Sequence, residues 1–313
     1  MTAATDHAID PFVHPALFYR DHDEYLAGTV SFIREGLANG EPVAVSVPTA
    51  NLALLRGELG SDAAAVLLMD MTVEGRNPGR IIPGVLRAFA DNHPHGRVRI
   101  IGEPIWAGRS EVEYPACAQH EALINAAFTG REVTILCPYD VTNLSPEVLA
   151  DAHVTHPTII DGAHESVSAA YDPDLVVSTY NRPLPEPPDA DLVLEFDVTS
   201  LPQVRSAVLE LARRYGASED RIVDVELIVG EAIANSVVHG GGSGTVICWR
   251  GDGQLCCQIR DGGHITDPLA GRLPASLYSV GGRGLLLINH LSDLVRVYTG
   301  PAGTTLHVQV SLT

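Results

Sequence analysis

Four short apolar runs alternate with helix-periodic segments over the first 138 residues, and this alternation constrains the fold more than any single motif. Residues 21–39 carry Tyr25, Leu26, Val30, Ile33 and Leu37 at helical spacing and run into Gly40, a residue type suited to a C-cap. Pro42-Val-Ala-Val-Ser-Val47 then reads as a buried strand, and residues 49–59 as a helix. The pattern continues with a strand at 64–71, a helix at 79–92, a strand at 98–105, a helix at 114–128 and a strand at 133–138. Strands apolar on both faces must be covered on both faces. The expected architecture is α/β, a mostly parallel sheet between layers of helices.

A chain of 313 residues exceeds what one hydrophobic core usually organises, so two domains are expected. Residues 1–162 form the first. Residues 163–191 are polar and proline-rich, including Arg182-Pro-Leu-Pro-Glu-Pro-Pro188, and read as a linker. Residues 192–313 form the second. There, a strand at 192–196 precedes amphipathic helices at 203–215 and 219–238. Strands at 246–249 and 255–259 flank Gly251-Asp-Gly253, a hairpin signature, and a helix at 284–291 leads into a last hairpin. Helices on one face of a mixed or antiparallel sheet make a two-layer α/β sandwich.

Charge excludes one class of function. Thirty-nine acids face twenty Lys and Arg, a net charge of −19, with no basic run to neutralise nucleic-acid phosphates. The five cysteines include no CxxC pair, which fits a reduced compartment. No apolar run approaches the roughly 20 residues of a membrane helix, and the first residues lack a signal-peptide pattern. A cytoplasmic, membrane-free protein is expected.

The chemistry concentrates in the last third. Glu231-Ala-Ile-Ala-Asn235 puts a carboxylate and a carboxamide on one helix face, one turn apart. A proton acceptor beside an amide oxygen able to hold Mg²⁺ suits phosphoryl transfer from a nucleotide. His239-Gly240 follows. Asp261 ends an apolar strand and can accept from an exocyclic amine such as adenine's, while Gly262 and Gly263 let the backbone approach the ring. Gly281-Gly282-Arg283-Gly284 opens an apolar helix and offers backbone N–H groups and a guanidinium to phosphates. Each element alone has a plainer reading: a solvated glutamate, a turn Asp-Gly, a flexible loop. The same Glu-x-x-x-Asn spacing recurs at Glu121-Ala-Leu-Ile-Asn125, where no glycine box follows, and there it reads as ordinary helix surface.

In this order the boxes resemble the ATP-binding domain shared by gyrase, Hsp90, histidine kinases and MutL, most closely the anti-sigma-factor serine kinases of the RsbW/SpoIIAB type. The resemblance covers residues 192–313. It implies that Glu231 is the general base on a substrate hydroxyl, that Asn235 ligands Mg²⁺ and that Asp261 reads adenine. His239, Gly263, Gly282, Arg283 and Gly284 complete the ATP site. It implies as partners a sigma factor and a STAS-type anti-anti-sigma protein phosphorylated on Ser or Thr, and it allows a homodimer. The usual first box is D-x-G-x-G, and Ile265 stands where its second glycine would be. That departure keeps open a pseudokinase that binds nucleotide and switches partners without chemistry. A histidine kinase needs a phospho-acceptor on a long helix; His164-Glu165 lies instead in the polar segment and reads as solvated.

The first half has no GxxxxGK[ST] after its first strand, which excludes nucleotide hydrolysis there. Its segments His14-Pro-Ala-Leu-Phe-Tyr-Arg20, Cys137-Pro-Tyr-Asp140 and His153-Val-Thr-His156-Pro157 resemble the MEDS sensory domain, a degenerate RecA-like module. Tyr139, Asp140, His153 and His156 are the candidate contacts for a small ligand. As metal ligands, His153 and His156 lack a third donor at convincing spacing, and a hydrogen-bonded loop pair is the plainer reading. Glu103 and Trp106 are expected beyond the carboxyl ends of the strands, where ligands of open α/β sheets bind.

Overall fold

The computed structural model describes residues 10–187, 189–274 and 282–313; Gly281 and Pro188 therefore lie outside the described residues. The chain divides into two compact units. The first holds the described residues through Thr72 together with Phe89–Arg109 and Glu121–Pro173, and the second holds Val73–Ala88, Ser110–His120 and Asp174–Thr313.

The first unit is built on a seven-stranded sheet. In chain order the elements of the first half of the chain are β1 (Pro15–Tyr19), α1 (His22–Ala38), β2 (Val43–Val47), α2 (Thr49–Leu59), β3 (Val66–Asp70) and the short α3 (Met71–Glu74). Then come α4 (Arg87–Asp91), β4 (Val98–Gly102), α5 (Tyr114–Phe128), β5 (Val133–Asp140), α6 (Pro146–Thr155), β6 (Thr158–Asp161) and β7 (His164–Val167). The strand order is β3-β2-β4-β5-β1-β6-β7, parallel throughout except for β7. Every residue of β1 and β2 is buried, as strands covered on both faces require, whereas β7 at the edge is wholly exposed.

Three expectations change. β1 was not expected, although it sits inside the sheet between β5 and β6; its five residues are too few to show a period. The helix expected at 79–92 is broken into a 3₁₀ turn at Pro78–Arg80, a π turn at Ile82–Leu86 and α4. Pro83 has no N–H to donate and its ring crowds the preceding turn, so a regular helix cannot pass through it. The segment expected as a linker is partly ordered: β7 pairs with β6, and α7 (Pro173–Tyr180) buries Val176. His164 is thus an edge-strand residue. Farther on, Pro185 accepts from Gln258 at 3.0 Å and Glu186 meets Arg260 at 2.8 Å.

The second unit carries a five-stranded antiparallel sheet in the order β11-β12-β10-β9-β8. Its elements are β8 (Leu192–Asp197), α8 (Leu201–Tyr215), α9 (Glu219–His239), β9 (Ser243–Arg250), β10 (Gln254–Asp261), α10 (Gly284–Leu291), β11 (Leu294–Gly300) and β12 (Gly303–Ser311). Ile222, Val225, Val229 and Ile233 form the inward stripe of α9 and pack with Val204, Val208 and Val246. Each such side chain contributes roughly 1.5–3 kcal/mol by leaving water.

Val73–Ala88 joins this unit through Asn77, whose side chain is fully buried. Its Nδ2 donates to the Asn289 carbonyl at 2.7 Å, and its Oδ1 accepts from Val295 N at 3.3 Å and Gly79 N at 3.1 Å. Asn289 Nδ2 in turn donates to the Gly271 carbonyl at 3.0 Å. All five cysteines are buried, and none forms a disulfide. Among the described residues no helix is long and apolar enough to cross a membrane.

Candidate functional site

Helix α9 begins where its sequence dictates: the Ser218 hydroxyl accepts from Arg221 N at 3.4 Å, and Glu219 and Asp220 complement the positive end of the helix dipole. With the apolar stripe turned into the core, Glu231 and Asn235 fall on the flank facing α10. Gly284, the first residue of α10, packs directly on them. A Cβ built there would lie 2.7 Å from Glu231 Oε2 and 2.8 Å from Asn235 Nδ2, so only glycine brings the N-terminus of α10 this close. Gly282 has φ +79°, a left-handed conformation that glycine adopts without strain.

Asp261 ends β10 opposite this pair. Ser236 Oγ donates to its Oδ2 at 2.6 Å, and Gly263 N donates to its Oδ1 at 2.8 Å. A carboxylate has about four lone-pair sites, so these bonds fix its plane and leave acceptor capacity for an amine. A cavity of about 730 Å³ lies between these elements. Asn235, His239, Asp261, Gly263, Gly282 and Gly284 all line it, joined by Ile259, Leu285 and Leu306 as an apolar floor. The mixture of apolar walls and a few convergent polar groups is that of a small-molecule site. Glu231 reaches the edge of this site through its contact with Gly284. Arg283 is exposed at the N-cap of α10 and is not among the lining residues.

Sequence reasoning missed Ser236, which is 2 % exposed and orients Asp261. A signal was present: a hydroxyl three residues after Ile233 and four after Ala232 stands on the buried stripe, where it needs a partner. Ile265 lines the cavity, its N–H held by Thr299 Oγ1 at 2.9 Å.

Of the four candidate ligand contacts in the first unit, Tyr139 and His156 touch each other, while Asp140 and His153 find other partners. Asp140 is spent on its own turn, accepting from Thr142 N at 2.9 Å and from Asn143 N at 3.1 Å. His153 meets the edge of Phe18 with ring centroids 5.2 Å apart. Tyr139 and His156 pack together edge to face at 5.5 Å. The reading of Glu121 and Asn125 as helix surface is overturned. Glu121 is 1 % exposed and faces His14 and His156, while Asn125 Oδ1 lies 3.1 Å from His14 Nδ1. Residues far away in sequence decide that burial, so the spacing within α5 could not reveal it.

Glu103, just beyond β4, is also buried, and its carboxyl accepts from Asn51 Nδ2 at 2.9 Å, Tyr19 at 3.3 Å and Tyr25 at 3.4 Å. Burial is the largest influence and, helped by the charge of Asp140, lifts the carboxyl from 4.5 to about 8 despite those hydrogen bonds. The folded chain then holds a proton that the unfolded chain releases between those values. Stability therefore falls as pH rises through this window, by up to about 1.4 kcal/mol per pH unit from this group. Glu103→Gln is expected to flatten the melting temperature against pH over that range; a slope equal to the wild type's would refute the assignment.

Residues 13–157 match the family described as MEDS: MEthanogen/methylotroph, DcmR Sensory domain. Residues 194–310 match the histidine kinase-like ATPase domain. No curated protein matches the chain. Among solved structures, the RsbU and RsbW domains of Rv1364c from Mycobacterium tuberculosis match with 22 % identity and a TM-score of 0.29. That match covers 39 % of this chain and 32 % of the other, so this chain spans about a third of its length. At that TM-score the likeness carries no functional weight. The cradle at Gly284, the anchored Asp261 and the cavity between them lie inside the second matched region. The chain thus carries a MEDS domain at residues 13–157 and a histidine kinase-like ATPase domain at residues 194–310.

Proposed function

We propose that the second unit binds Mg-ATP and transfers its terminal phosphoryl group to a serine or threonine of a STAS-type anti-anti-sigma protein. The same surface sequesters a sigma factor, and the MEDS domain regulates the exchange. The supporting observation is the packing of Gly284 on Glu231 and Asn235, because it sets an anion-binding helix terminus against a proton acceptor and an amide ligand at once.

The residues fit the groups this reading requires. Asn235 Oδ1 would hold Mg²⁺, Gly282 and Gly284 would face phosphates through their N–H groups, and Asp261 would accept from the adenine amine. When bound, the metal ion supplies charge neutralisation on the phosphates. Glu231 takes the proton from the attacking hydroxyl, while the apolar floor excludes water that would otherwise compete as acceptor.

A second reading, nucleotide-controlled partner exchange without transfer, is favoured by Ile265, which occupies cavity wall where the usual first box has glycine. Titration calorimetry with Mg-ATP and Mg-ADP tests the shared part. Binding is expected, and Asp261→Asn should weaken it roughly 10- to 150-fold, the range for a lost hydrogen bond to a charged group. Absence of heat with either nucleotide would remove both readings. Labelled ATP with the partner separates them.

A further inference from the structure

Four side chains from four elements of the first unit converge on one point: His14 before β1, Glu121 on α5, Cys137 within β5 and His156 after α6. One ligand atom of each lies within 4.8 Å of all the others, and none of the four residues is more than 1 % exposed. His156 Nε2 is 3.1 Å and His14 Nε2 is 3.5 Å from Glu121 Oε2, and His14 Nε2 is 3.4 Å from Cys137 Sγ. The edges of a tetrahedron with metal–nitrogen bonds of about 2.0 Å and a metal–sulfur bond of about 2.3 Å are roughly 3.3–3.7 Å long. The two separations from His14, 3.4 and 3.5 Å, fall inside that range, and the 3.1 Å separation lies just below it.

The outer contacts fix both rings in the ligating tautomer. His156 Nδ1 lies 2.9 Å from the Ala152 carbonyl, which can only accept, so the ring proton sits on Nδ1. Asn125 Nδ2 donates to the carbonyls of Ala122 at 3.1 Å and Thr155 at 2.8 Å. Its Oδ1 is thereby turned to His14 Nδ1, which must donate. Both Nε2 lone pairs then point inward. Such outer hydrogen bonds orient imidazoles in metal sites.

Inside, those lone pairs meet more lone pairs. Neither oxygen of Glu121 has a hydrogen-bond partner, nor has His156 Nε2, despite their proximity. A buried carboxylate facing two imidazole acceptors is costly without a positive centre among them. Protonated rings are a poor substitute: their centroids are 4.1 Å apart, so two buried like charges would repel.

We propose that His14, Glu121, Cys137 and His156 bind one borderline divalent metal ion of the Zn²⁺ class in a closed, tetrahedral site. Two imidazole nitrogens, a thiolate and a carboxylate suit such an ion, and with every position filled by protein the site is structural or sensory rather than catalytic. Binding replaces the Cys137 S–H bond with an S–metal bond and releases that proton to solvent. Because the ligands come from four elements, the ion would tie the β1–β5 centre of the sheet to α5 and α6.

The test uses the full chain. Metal analysis of protein purified without chelator should find about one equivalent of zinc or another first-row divalent ion. The chelator-treated chain should take up Co²⁺ with the intense visible bands of tetrahedral coordination and a thiolate-to-cobalt charge-transfer band in the near ultraviolet. Cys137→Ser should abolish that band. Asn125→Ala leaves all four ligands in place and should weaken Co²⁺ binding by about 10- to 100-fold with the spectrum unchanged. A folded wild-type chain, checked by circular dichroism, that takes up no Co²⁺ overturns the proposal. So does an octahedral spectrum, or a charge-transfer band that survives Cys137→Ser.

Discussion

Glu231→Ala is expected to slow phosphoryl transfer to the partner protein by about 10²- to 10⁴-fold, the contribution typical of a positioned general base. Nucleotide affinity should hardly change. Glu231 lies beside Gly284 rather than among the residues lining the cavity, and Asn235 with Asp261 would still hold the metal and the base. A loss confined to the rate, with affinity kept, marks an interaction made in the transition state. Single-turnover transfer with labelled ATP reads the rate and calorimetry reads the affinity. A variant that phosphorylates the partner at the wild-type rate excludes Glu231 as the base. A wild type that binds ATP tightly and transfers nothing selects the partner-exchange reading.

Gly284→Val attacks the same site from the other side. The added Cβ alone would fall 2.7 Å from Glu231 Oε2 and 2.8 Å from Asn235 Nδ2, and the two methyls extend farther. Either α10 withdraws or both side chains leave their positions. Overpacking of this kind costs about 1–3 kcal/mol, and each lost N–H contact to a charged phosphate about 1.5–3 kcal/mol more. Mg-ATP affinity should therefore fall roughly 100-fold or further, while Gly284→Ala should show a smaller loss. Calorimetry checks the affinities and circular dichroism the fold. Wild-type binding by Gly284→Val would mean that α10 does not approach the phosphates.

What could be read from the sequence depended on how local its cause was. The buried strands β2, β4 and β5 and the helices α1, α2 and α5 follow from runs and periods contained within each segment. β1 does not, because its place inside the sheet comes from β5 and β6, over a hundred residues away. The residues of the proposed ATP site were legible because the spacing within α9 and the two glycine boxes each carry a local geometric demand. Ser236 escaped because its partner, Asp261, lies on another element. The pair Glu121 and Asn125 shows the limit most sharply. Its spacing equals that of Glu231 and Asn235, yet its environment is set by His14 and His156, which no local pattern links to α5.

The hydrogen bonds of Asn77 bear on how this protein can be dissected. A fragment excised at the ATPase family boundary would discard Val73–Ala88, stripping the Asn289 carbonyl and Val295 N of their buried partner. The loss would fall on α10, whose first residue packs on Glu231 and Asn235, and through Asn289 on the Gly271 carbonyl beside the cavity. Recombinant pieces intended to represent the ATPase-like domain must carry that borrowed loop with them, or be studied as the intact polypeptide.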